Sequence, residues 1–112
     1  MVRRLPKGEE TLPIVEVDEE LLTPVGLEKA HPRLRLADLK QPAPTRLLVE
    51  RKRMRVNQGR VGTIYRPQYS LTAEEQLRHM ELQDAIGLEL IEVERNLLEE
   101  EVKILRGDYG HS

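Results

Sequence analysis

Residues 72–107 read TAEEQLRHMELQDAIGLELIEVERNLLEEEVKILRG, and the fold class turns on them. Thr72 stands three residues before Glu75. In this capping-box spacing, hydroxyl and carboxylate each satisfy an orphan amide at a helix start. No proline follows, and Arg106 and Gly107 suit the last turn and the stop of a helix. The pattern predicts one long C-terminal helix over about 73–106, a rod of about 50 Å. Gly87 falls inside it, where glycine costs up to about 1 kcal/mol against alanine. It marks a bend, a close helix contact or a glycine that is merely tolerated.

Steps of about 100° around this helix separate two apolar seams. One holds Leu82, Ile86, Leu90, Val93, Leu97 and Ile104. The other holds Leu77, Met80, Leu88, Ile91, Leu98, Val102 and Leu105, and Gln83, Glu94 and Glu101 lie between the two. A helix on a small core shows one stripe, so two seams predict packing on both flanks. The chain has little else of that length, so cover is expected from partners, either copies of itself or a different protein. The alternative is that the rest of the chain folds back over both.

Charge and proline divide the remainder. Residues 46–71 carry Arg46, Arg51, Lys52, Arg53, Arg55, Arg60 and Arg66 against Glu50 alone, whereas 72–112 carry eleven acidic and four basic side chains. Leu47 to Val56 reads as a helix with Thr45 as its cap, or as the first strand of a basic β-hairpin turning at Asn57-Gln58-Gly59. Val61, Thr63, Ile64 and Tyr65 favour a strand on the return leg, and the hairpin is the preferred reading. Residues 1–45 hold six of the seven prolines. They read as an extended Pro-rich N-terminal arm, with a short extended stretch at 12–17 and a two-turn helix from Pro32 to Lys40. Leu12, Ile14, Val15 and Val17 are its expected anchors on another surface. The fold class is therefore mainly α, in three segments: 1–45, 46–71 and 72–112.

The same residues exclude most chemistry. The 112-residue chain has no Cys, Phe or Trp, so it offers no thiolate, no zinc–thiolate site and little with which to line a deep pocket. Ser70 and Ser112 lack a nucleophile-elbow context, and His31, His79 and His111 are scattered. No phosphate loop appears, and Glu99-Glu100-Glu101 faces several directions around a helix. No cofactor, metal, small-molecule substrate or catalytic role is expected. Met1-Val2-Arg3-Arg4 leads into Pro6 and Glu9 rather than an apolar stretch, and no run could span a bilayer. The expectation is a soluble protein, cytoplasmic or virion-associated, with no membrane partner.

What remains is a non-catalytic structural protein, a small subunit of a larger multi-protein assembly such as a virion accessory or connector component. Its partner-binding residues are read as the arm anchors, the basic group Arg51, Lys52, Arg53 and Arg55, and the two seams. The seam residues chosen are Ile86, Leu90, Val93 and Leu97 on one side, and Leu88, Ile91, Leu98 and Val102 on the other. The alternative is a nucleic-acid-associated factor that meets ribosome, polymerase or nucleic acid through Arg46–Arg66. Only Tyr65 and Tyr69 are near enough in sequence to stack on bases there. Charge pairing between the basic block and the acidic helix, within or between subunits, competes with that reading.

Overall fold

The computed structural model describes residues 11–33 and 43–106. In chain order they form β1 (Val15–Val17), β2 (Glu20–Leu22), α1 (Pro24–Ala30), α2 (Thr45–Asn57), β3 (Ile64–Tyr65), β4 (Ser70–Leu71), α3 (Ala73–Leu82) and α4 (Ala85–Arg106). The fold is mainly helical, with β1–β2 and β3–β4 as separate antiparallel two-stranded hairpins. The expected helix at 32–40 lies almost entirely outside the described residues.

Thr72 caps α3 as the sequence predicts. Its hydroxyl accepts from the Glu75 amide at 3.2 Å, and the Glu75 carboxylate accepts from the Thr72 amide at 3.0 Å. The C-terminal segment is helical to Arg106, but as two helices rather than one rod. Gln83 closes α3 in the left-handed region, at φ 54° and ψ 37°, with its N–H donating to the carbonyls of His79 and Met80. A residue with a β-carbon pays about 1–2 kcal/mol for that conformation. Asp84 then starts α4, its carboxylate accepting from the Gly87 amide at 2.8 Å as an N-cap. Ending one helix and capping the next lets α3 pack against α4 instead of extending it. Gly87 is buried at that junction, so it serves a close helix contact.

Asp84 also stands 2.5 Å from His79 Nδ1. The hydrogen bond from the Gly87 amide, aided by His79, holds the Asp84 carboxyl below its ordinary value of 3.8. A depressed carboxylate contributes stability that is present above its unfolded value and is lost as pH falls through the folded one. Replacing Asp84 with alanine is therefore expected to lower the urea midpoint at neutral pH. The gap to wild type should close as pH drops through and below 3.8. A gap that stayed constant with pH would mean that the charge contributes nothing.

The basic segment corrects the preferred reading. It is helix α2, and the hairpin comes later, with Ile64 opposite Leu71 and Tyr65 opposite Ser70. Counting Arg51 and Lys52 as inward, 47, 48, 51 and 52 are buried together at helical spacing. The described part of the N-terminal arm is corrected too. Leu12, Ile14 and Val15 are buried within the chain's own core, with Leu47, Leu48, Met80 and Leu98 also buried. Val17 is half-buried against that core. Ile14 extends the β1–β2 pairing by donating its N–H to Leu22, and the connection turns at Asp18-Glu19 with positive φ at both residues. Each such apolar side chain stabilises the fold by about 1.5–3 kcal/mol when fully buried. Leu12, Ile14 and Val15 hold this chain together and are not available as anchors on a neighbour.

Candidate functional site

The basic group lies at the centre of the fold. Arg51 is fully buried, and its Nε donates to Glu94 at 3.2 Å while Nη1 donates to the Pro13 carbonyl at 2.7 Å. Its Nη2 forms an ion pair with Glu101 at 2.6 Å, off the line of a hydrogen bond. Arg55 takes the second oxygen of Glu94. Lys52 donates to Gln76 at 2.8 Å, and burial lowers its pKa. Gln76 in turn donates to the carbonyls of Gly62 and Leu71, which ties the β3–β4 hairpin to α3. Arg53 joins Glu50 and Glu81, and Arg46 joins Glu16 and the Glu19 carbonyl.

Arg51, Arg53 and Arg55 are thus paired with carboxylates of the acidic helices, and Arg46 with Glu16. One guanidinium meets carboxylates from two turns of α4 and a carbonyl before β1, which locks three segments in register. Gln76, Glu94 and Glu101 stand outside the partner-binding set that the sequence suggests. Their signal was there: Glu94 and Glu101 are seven apart on the strip between the seams, and Arg51 and Arg55 match them at a spacing of four.

The two seams have different fates. Ile91, Leu98 and Val102 of one are buried with Met80 in the core, while Leu88 lies exposed on the far side. The other seam stays open. Val93 is 54% exposed and Leu97 40%, with Leu82 also exposed and Ile86, Leu90 and Ile104 half-buried. Ile86, Leu90, Val93, Leu97 and Ile104 follow the 4-3-4-7 spacing of a heptad seam, with Glu100 at the one remaining position. Its outer rim carries the exposed residues Glu89, Asn96 and Lys103. Among the described residues, one flank of α4 is covered and the other is partly open, with Leu90 at the edge of the core.

No family model matches this chain, and no curated protein or solved structure is significantly similar to it. Its function has to be read from its own surfaces. A groove of about 520 Å³ beside α2 is lined by Leu21, Arg46, Val49, Glu50, Arg53 and Glu81. Both of its arginines are held by neighbouring carboxylates. Among the described residues no three His, Asp or Glu side chains converge as a metal site, and no helix is long and apolar enough to cross a membrane. Among the described residues, the open seam of α4 is an apolar row outside these ion pairs, apart from Glu100 with Lys103.

Proposed function

We propose that this protein is a non-catalytic subunit of a larger multi-protein assembly, held there through the open seam of α4. The observation that carries this reading is the exposure of Val93 and Leu97, in line with Ile86 and Leu90 along one helix face. Scattered exposed leucines need no explanation, but a continuous apolar row on a helix suits an interaction surface. Helix-in-groove and helix-to-helix recognition use this spacing of anchors. With Leu12, Ile14 and Val15 inside the core, α4 takes over the holding role that the sequence assigned to the arm.

The alternative, nucleic acid bound through Arg46–Arg66, has less support. Arg51 and Lys52 are buried, and Arg53 and Arg55 face Glu50, Glu81 and Glu94. Phosphate contacts at Arg46, Arg53 or Arg55 would have to displace ion pairs already formed.

Native mass spectrometry of complexes isolated from the source tests the reading. Tagged wild type is expected to arrive with other subunits. A Val93→Asp, Leu97→Asp variant should arrive without them while keeping its far-ultraviolet spectrum and melting temperature. Equal recovery of partners by both proteins would overturn it.

A further inference from the structure

The open seam is nearly its own mirror image about the level of Arg95. Reading outward from there, Val93 and Leu97 lie two residues to either side, Leu90 and Glu100 five, and Ile86 and Ile104 nine. On the outer rim Glu89 and Lys103 are likewise almost equidistant from the centre, and they are oppositely charged. Every heptad seam reads the same in both directions, so the spacing admits an antiparallel second copy without selecting one. The rim favours it: Glu89 and Lys103 are oppositely charged and meet when two such seams run antiparallel, because in an isologous contact residue i meets j and j meets i.

Resting on the reading of α4 as the working surface, we propose that the open seam binds a second copy of this chain, α4 against α4 and antiparallel. The dimer is then the form in which the larger assembly takes the protein up. In this register Val93 faces Leu97 of the second copy, Ile86 faces Ile104, and Glu89 faces Lys103, with every contact made twice. Lys103 is half-exposed and pairs with Glu100 at 3.7 Å, and the second copy's Glu89 would compete for its ammonium. The other rim is the side of α4 where Glu94 and Glu101 meet Arg51 of α2, so it needs no cation from the partner.

Glu100 decides between the two orientations. In a parallel pair the two Glu100 side chains would meet across the seam, and like charges facing one another at close range are unfavourable. The antiparallel pair separates them to opposite ends, each against Leu90. A polar residue at one seam position lowers affinity and sets register and orientation.

The seam runs about 28 Å along the helix at 1.5 Å per residue. One helix face of that length is at the small end of stable interfaces, so dissociation in the range of about 1–50 µM is expected. Sedimentation equilibrium of the purified full chain across that range is the test. Wild type should be a monomer–dimer mixture, and Val93→Asp with Leu97→Asp should be monomeric with an unchanged circular dichroism spectrum. Glu89→Lys should weaken the dimer about fivefold, and adding Lys103→Glu should restore it to within about twofold. Glu100→Leu should tighten it about tenfold or more.

A wild type that stays monomeric at about 200 µM would overturn the proposal. The seam would then belong to another protein or to a further segment of this chain, such as residues 34–42. Seam-dependent recovery of other subunits from the source would leave the functional reading standing. A dimer indifferent to the Asp pair, or a charge swap that failed to restore affinity, would also overturn it, because the contact would lie elsewhere or in another register.

Discussion

Replacing Arg51 with methionine is expected to cost about 3–5 kcal/mol, a large part of the roughly 5–15 kcal/mol that holds a domain of this size together. Methionine fills much the same length, so lost packing is minor. The loss is electrostatic. Glu101 would lose the Arg51 guanidinium, Glu94 would lose one of its two arginines, and the Pro13 carbonyl would lose its donor. A buried charge stripped of its counter-ion costs far more than the intact pair contributes. Lysine should rescue little, since one ammonium cannot reproduce three donors fixed in a plane.

A second arm identifies the mechanism. Combining Arg51→Met with Glu94→Leu and Glu101→Leu removes the guanidinium and both its carboxylates together, leaving Lys52 on Gln76, and most of the loss should be recovered. Arg55, part-exposed, can then turn to water. Urea titrations of the single, paired and triple variants measure the coupling. A triple variant as unstable as the sum of its singles would mean that the residues act independently and that the network is not the lock.

Replacing Gly87 with alanine is expected to destabilise by about 2 kcal/mol or more. The sign of the change is what makes this informative. On an unencumbered helix the same replacement stabilises by up to about 1 kcal/mol. Here a β-carbon would stand 1.8 Å from the carbonyl oxygen of His79 and 2.5 Å from its carbon. Those are backbone atoms and cannot swing aside. Reaching an ordinary contact distance of about 3.5 Å requires the first turn of α4 to lift off the end of α3. Two hydrogen bonds are at risk as it does so: Gln83 to the His79 carbonyl, and the Asp84 cap on the Gly87 amide. Met80 and Ile91 pack in the same core and would part with them. An alanine variant with a raised urea midpoint would show that the helices do not meet this closely.

Features that follow local rules can be read directly along the chain. Thr72 and Glu75 announced the start of α3, because a capping box is a bond between residues three apart. The helical period carried through to Arg106, because burial on one face repeats at 3.6 residues whatever it packs against. The opposite charges of 46–71 and 72–106 marked those segments as electrostatic partners. Both apolar seams could be traced, but not which of them the chain would cover itself.

Tertiary structure decided the rest, at residues whose usual preferences it overrides. Arg51 and Lys52 read as partner-binding residues, since charged side chains are seldom fully buried unless paired. Placed inside, they complete the helical pattern of α2, and only Glu94, Glu101 and Gln76, from helices distant in sequence, make that burial affordable. The left-handed Gln83 and the Asp18-Glu19 turn carry no glycine, so neither break was marked in advance. The packing of α3 on α4, and the grip of Arg46 on Glu16 and the Glu19 carbonyl, accompany those conformations. Leu12, Ile14 and Val15 read as anchors for a neighbour because prolines flank them and no nearby residues could cover them. Ile14 and Val15 share their core with residues far along the chain such as Leu47, Met80 and Leu98, and burial depends on what arrives in space, which a run of neighbours along the chain does not specify.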